Sequence, residues 1–186
     1  MNKKTALILL LSGIATACFS QKDFKTYFGA GYGIENRIGF RGVSLHAEGE
    51  VYLFNHIDGL VSLQYFHSSH VPRWNATENE GAYFRQATAS AKIQYSSGAE
   101  TGTGILANIA AGIRMGKTHH FESGKLVNGE FTEHRYATEK LKGNGVILGI
   151  GYGFKFNEKL TAKMEFSHYA FGLINDLQTI SLKMGF

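Results

Sequence analysis

The sequence predicts an all-β fold, an eight-stranded antiparallel transmembrane barrel of the up-and-down type. Eight segments alternate between apolar and other residues with a period of two, the period at which strand side chains point to opposite faces. The 186 residues include 23 Gly and 13% aromatic residues but one Pro, which suits continuous strands in a curved sheet. Beyond the N-terminal segment, no stretch approaches the roughly 20 apolar residues of a membrane helix. A membrane-spanning chain of this kind must therefore close into a barrel.

The last strand has the clearest alternation, over residues 177–186. One face carries four apolar residues, Ile180, Leu182, Met184 and Phe186. The other face carries Thr179, Ser181, Lys183 and Gly185. Apolar residues at every second position before a terminal Phe resemble the sorting signal of bacterial outer-membrane barrels. The resemblance implies a Gram-negative outer membrane as the location and the barrel-assembly machinery as a partner.

The N-terminal segment has the pattern of a secretory signal peptide. Lys3 and Lys4 precede an apolar run at residues 6–14, which is too short to span a bilayer as a helix. We expect residues 1–20 to be removed before Gln21, so that residues 21–186 form the barrel domain. The alternative is lipid attachment at Cys18, because residues 15–18 loosely match a lipoprotein signal. Cys18 is the single cysteine, so the barrel domain contains no disulfide.

The charge balance excludes one class of partner. Removing Lys3 and Lys4 from 19 basic residues leaves 17 against 15 acidic residues, a net charge of +2. Such a balance is not the footprint of a nucleic-acid-binding protein.

The other strands alternate with connections of different lengths. Strands are expected at about 26–35, 43–54, 60–67, 83–95, 103–115, 146–156 and 160–169. Short turns at 55–59, 96–102 and 157–159 are expected on the periplasmic side. The longer polar stretches at 68–82 and 116–145 are expected to be extracellular loops, as in other transmembrane barrels.

Charges of both signs fall on the faces opposite the apolar ones. They are Glu48, Glu50, Lys92, Arg114, Lys155, Lys163 and Glu165. The interior of an eight-stranded barrel is only wide enough for side chains to fill. Because an isolated buried charge costs several kcal/mol, these residues are expected to form a salt-bridged network. The alternative is that Glu48 and Glu50, about 7 Å apart on one strand face, act as an acid–base pair.

This architecture resembles the small outer-membrane barrels of the OmpA-domain and OmpX kind. The resemblance implies a polar, filled interior that does not conduct freely. The competing fold is a soluble eight-stranded barrel of lipocalin type, with the opposite polarity. Charges of both signs on the polar faces, together with Phe186, favour the transmembrane barrel.

Residues 168–173 also resemble the last hairpin of the lipid A deacylase family PagL. His168 matches the histidine of the family motif, but Ala170 stands at the serine nucleophile and Phe171 at the asparagine. A serine hydrolase needs its hydroxyl nucleophile, so we expect no enzyme activity.

Several histidines lie in or beside the two long polar stretches. They are His67, His70, His119, His120 and His134. Imidazoles from two loops can hold zinc or copper, but neither a cysteine nor a His-x₃-His helix pattern accompanies them. We therefore predict solvated histidines, with no metal and no cofactor. Arg73 and Trp74 form either a contact pair or an interfacial anchor.

These patterns predict a structural or surface-interaction protein of the outer membrane, or a subunit of a larger outer-membrane complex. The expected partners are outer-membrane lipid and lipopolysaccharide, the barrel-assembly machinery and other outer-membrane proteins. The alternatives are a lipid A-modifying barrel and a narrow solute channel.

Overall fold

The computed structural model describes residues 24–70, 81–98, 103–128, 130–172 and 176–186. This part of the chain contains eight strands: β1 (Phe24–Glu35), β2 (Arg41–Phe54), β3 (Ile57–His70), β4 (Tyr83–Ser96), β5 (Gly104–Val127), β6 (Glu130–Lys155), β7 (Thr161–Ala170) and β8 (Leu177–Gly185). Each strand pairs antiparallel with its neighbour in sequence, and β1 also pairs with β8. The predicted eight-stranded up-and-down barrel is confirmed. None of the described residues forms a helix with the length and hydropathy to cross a membrane.

The barrel closes where β1 meets β8, and glycines permit the close approach. A methyl group added at Gly29 would collide with the carbonyl oxygen of Leu182, and one at Gly31 would collide with that of Ile180. Side chains at these positions would push the two strands apart. Beyond the last paired residues, the Phe186 backbone N–H donates to the Thr26 carbonyl at 3.0 Å.

The polarity of the wall is that of a transmembrane barrel. Large apolar side chains point outward and are exposed, among them Phe28, Leu45, Leu63, Ile93, Ile109, Met115, Leu148, Ile150 and Leu182. Polar side chains at the alternate positions point inward and are buried, among them His46, Gln64, Thr88, Gln94, Asn108 and Ser167. A lipocalin-type barrel would have the reverse arrangement, so the transmembrane assignment of the faces holds.

The stretch at 116–145 is not an irregular loop, and the prediction for it is wrong. β5 continues to Val127 and β6 begins at Glu130, so the two strands form a long hairpin. Above the lipid both faces of a hairpin contact water, and its strands lack the apolar alternation that marks the wall. We call the end of the barrel that carries this hairpin the hairpin end, and the opposite end the turn end.

The turn predicted at 55–59 is shorter than expected. Phe54 pairs with Ile57, which leaves Asn55 and His56 as a two-residue turn. Asn55 has a φ of 40°, a conformation that Asn tolerates. Asp58 and Gly59, predicted to form the turn, lie within β3.

Some predicted features are placed only in part. Ser68 to His70 extend β3 rather than opening a loop. Arg73 and Trp74 lie outside the described residues, as do the predicted signal peptide and residues 99–102.

An apolar layer fills the lumen towards the hairpin end. Phe84 contacts Phe40 and Phe66, with ring centroids 5.9 and 5.7 Å apart. Tyr169 and Phe171 complete what we call the aromatic layer. Phe66, Phe84 and Tyr169 occupy inward positions of β3, β4 and β7, and Phe40 and Phe171 lie next to the ends of β2 and β7. The lumen is therefore apolar at one level and polar below it.

Candidate functional site

Four charged side chains from four strands meet in the middle of the lumen. Lys92 Nζ lies 2.7 Å from Glu48 Oε1 and 3.3 Å from Glu165 Oε1. Lys183 Nζ lies 2.8 Å from Glu48 Oε1 and 3.1 Å from Glu165 Oε2. All four side chains are at most 1% exposed. Each ammonium group thus contacts both carboxylates, and we call these four residues the ion cluster.

A second ionic group lies towards the turn end. Lys163 forms an ion pair with Glu50 and sits over the Tyr27 ring, with Nζ 4.0 Å from the centroid. Glu50 also accepts hydrogen bonds from the Tyr27 hydroxyl and from the Gln94 amide, both at 3.2 Å. The carboxylate is therefore held from three strands.

Neutral donors bind the Glu165 carboxylate of the ion cluster. Asn108 Nδ2 donates to Glu165 Oε2 at 3.2 Å, and Ser167 Oγ donates to Glu165 Oε1 at 2.5 Å. Across the two ionic groups, three carboxylates face three ammonium groups, so their charges balance. Buried ions are tolerated when they are paired and further hydrogen bonds satisfy their remaining atoms.

The structure brings together five of the seven residues predicted for an interior network. They are Glu48, Glu50, Lys92, Lys163 and Glu165. Arg114 is buried in the lumen but belongs to the aromatic layer, where it donates to the Phe171 carbonyl at 3.3 Å and lies over that ring. Lys155 departs from the expectation because its side chain is exposed at the turn end of β6.

Lys183 is the member of the ion cluster that sequence reasoning missed. Alternation in the last strand already placed Lys183 on the face opposite Ile180 and Leu182, and it is the only ionisable side chain on that face. That position was the available signal, because a lysine on the inner face of a narrow barrel needs a buried partner.

The geometry does not favour Glu48 and Glu50 as an acid–base pair. Glu48 contacts two lysines, and Glu50 is held by Lys163, Tyr27 and Gln94. Both carboxylates are engaged in ion pairs.

A polar cavity of about 650 Å³ occupies the lumen at the turn end. The second ionic group, Glu50 and Lys163, lines it together with Asp58 and the turn residues Asn55 and His56. Above it lie the ion cluster and then the aromatic layer. The lumen is thus a polar cavity below two buried layers.

The histidines take different positions. His119 stacks between Tyr83 and Tyr136, with centroid distances of 5.7 and 5.3 Å. His120 points to the inner side at the base of the hairpin, and burial lowers the pKa of this imidazole. Within the described residues, no three His, Cys, Asp or Glu side chains are grouped to hold a metal. The side chains of His70 and His134 lie outside the description.

The positions that resemble PagL lie at the end of β7. His168 Nε2 is 3.8 Å from Asp176 Oδ2, and Ala170 is the last residue of the strand. The residues of the proposed sorting signal point outward, with Ile180, Leu182 and Phe186 more than half exposed and Met184 half-buried.

Replacing Lys183 with Met should destabilise the barrel by about 3–5 kcal/mol, because both carboxylates of the ion cluster lose one counter-ion in a buried setting. Lys155→Met is the matched control, since Lys155 is exposed and a surface change is worth about 0.5 kcal/mol or less. Urea unfolding in lipid vesicles measures both. Equal effects of the two substitutions would contradict the importance of the ion cluster.

Comparison with known proteins finds similarity of structure. No protein-family model matches the chain, and no curated protein does. Neisserial surface protein A superposes with a TM-score of 0.64 at 9% identity, covering 87% of this chain and 95% of that chain. The attachment invasion locus protein Ail of Yersinia pestis has a TM-score of 0.57 at 10% identity, with 87% and 95% covered. A major outer membrane protein from Thermus thermophilus has a TM-score of 0.54 at 10% identity, with 88% and 98% covered. The chain has the fold of the small eight-stranded outer-membrane barrels.

Proposed function

We propose that this chain is an integral protein of the bacterial outer membrane with a closed lumen, and that it acts at the cell surface through the β5–β6 hairpin. The observation that carries the proposal is the stacking of two buried layers in the lumen, the ion cluster and the aromatic layer. A lumen blocked in this way leaves the outer wall, the hairpin and the cavity at the turn end as the places for function. The apolar outer wall supports residence in a membrane, and the fold supports the outer membrane of a Gram-negative bacterium.

The closed lumen argues against a solute channel. The cavity at the turn end is blind, because the ion cluster blocks its inner side. A permeating ion would have to break paired charges that hold one another across four strands.

Planar-bilayer recordings test the closed lumen. The inserted barrel should show no stable conductance steps, because no continuous water path crosses the ion cluster. Heat-modifiable migration of the same preparation shows that the barrel is folded. Regular openings of uniform size from folded protein would overturn the closed lumen.

The β5–β6 hairpin rises above the barrel wall. Pairing of β4 with β5 ends at Tyr83 and His119, and pairing of β6 with β7 begins at Val146 and Ala170. Beyond these pairs, and within the described residues, the backbones of β5 and β6 are paired in register with each other. A projecting β-hairpin of this kind can bind another strand or a surface partner.

A labelling experiment tests the orientation of the hairpin. Val127→Cys, exposed at its tip, should react in intact cells with a maleimide that does not cross membranes. Lys159→Cys, exposed at the turn end, should react only after the outer membrane is permeabilised. The reverse pattern would contradict surface presentation of the hairpin.

Residues 1–20 are the signal peptide, and Ile180, Leu182, Met184 and Phe186 are the sorting signal read by the barrel-assembly machinery. The protein is not a lipid A deacylase, because Ala170 has no hydroxyl to act as nucleophile. Lipopolysaccharide and neighbouring outer-membrane proteins are its partners in the membrane.

A further inference from the structure

Three basic side chains form a row across the outer wall at the base of the hairpin. Arg85 on β4 is directly opposite Lys117 on β5, and Lys117 is directly opposite Lys140 on β6. All three are exposed, and they alternate along their strands with the buried residues Gln86, Thr118 and Leu141. Arg85, Lys117 and Lys140 therefore point outward from one patch, which we call the basic row.

The basic row contains unbalanced positive charge. Side chains directly opposite in an antiparallel pair have Cβ atoms about 5 Å apart, where like charges repel. Among the described side chains, no carboxylate lies within 4 Å of any of the three basic groups. The nearby Glu139 carboxylate is paired with Arg37 at 2.7 Å. An anion between these side chains would turn the repulsion into attraction.

On β4 and β5, the basic row lies at the upper boundary of the apolar wall. The next outward positions towards the turn end are Ala87 on β4 and Met115 on β5, followed by Ala89 and Ile113. Met115 is 62% exposed and Ile113 is 52% exposed, as expected for lipid-facing residues. In a membrane, the row therefore stands at the level of the lipid headgroups.

Two adjoining grooves on the outer wall lie beside the basic row. One, of about 430 Å³, is lined by Leu63, Tyr65, Ala87, Ala89, Ile113 and Met115, among others. The other, of about 350 Å³, shares Tyr65 with the first and reaches His67 and Arg85. The grooves thus lead from the apolar wall up to the charged boundary, the shape needed for an acyl chain below a headgroup.

We propose that the basic row and these grooves bind a phosphorylated lipid of the outer leaflet. A phosphate lies among Arg85, Lys117 and Lys140, and an acyl chain lies in the groove between Tyr65 and Met115. Lys142, exposed on β6 opposite Met115, adds a further positive charge beside the same lipid. The inference rests on the proposed function, because it requires the hairpin end to face the outer leaflet.

The test uses the full barrel in phosphatidylcholine nanodiscs with diphosphorylated lipid A as the probe, and native mass spectrometry counts the lipid retained. K117S/K140S should weaken retention by about twenty-fivefold, because each basic group near an anionic headgroup contributes about a factor of five. The matched control K155S/K159S removes the same charge at the turn end and should retain the probe like the wild type. The single variant R85Q should weaken retention by about fivefold.

Two further arms identify the source of the phosphate. The wild type should retain dephosphorylated lipid A only weakly. Its retention should match that of intact lipid A by K117S/K140S. Inorganic phosphate at the same concentration should not displace the probe, and A89L, which fills the groove, should weaken retention.

Some results would overturn the proposed lipid site. They are equal retention by K117S/K140S and K155S/K159S, strong retention of dephosphorylated lipid A, or displacement by inorganic phosphate. Heat-modifiable migration of each variant shows that the barrel is folded. The maleimide labelling reports the orientation separately, so a failure of the proposed function would be distinguished from a failure of the lipid site.

Discussion

The structure depends on one constraint: a backbone inside lipid has no water to bond with, so every strand edge must find another strand. The pairing of β1 with β8 satisfies this constraint by closing the sheet. Closure with eight strands fixes a narrow lumen, and the narrow lumen explains why β1 places Gly29 and Gly31 against β8. It also brings side chains from distant strands within bonding distance of one another. The interior contacts follow from this closure.

A membrane-spanning wall reverses the usual polarity of a protein, since the apolar face must point outward. The inner face is then free to be polar, but its charges are buried and must be paired. The ion cluster meets this requirement by joining β2, β4, β7 and β8 across the lumen. Above it the aromatic layer fills the space towards the hairpin end. With both layers in place, the surfaces left for interaction are the hairpin, the outer wall and the cavity at the turn end.

Alternation in the sequence was enough to assign the faces of the strands, because lipid and a polar lumen lie on opposite sides of each one. It could not reveal the β5–β6 hairpin, since above the membrane both sides of the hairpin meet water and the contrast is lost. Lys183 illustrates a second limit. Alternation places Lys183 on the inner face of β8. Its partner Glu48 is 135 residues away, and only closure of the barrel brings the two together. Lys155 also falls on the inner face by alternation, but it is the last residue of β6 and its side chain is exposed.

The central claim is that β4 and its neighbours separate lipid from a polar lumen. Spin labels placed singly along β4 in bilayers, from position 86 to 93, test this most directly through their accessibility to dissolved oxygen, which concentrates in lipid. The account predicts high accessibility at Ala87, Ala89, Ala91 and Ile93, and low accessibility at Gln86, Thr88, Ser90 and Lys92. A period of two with the opposite phase, or no alternation at all, would contradict it.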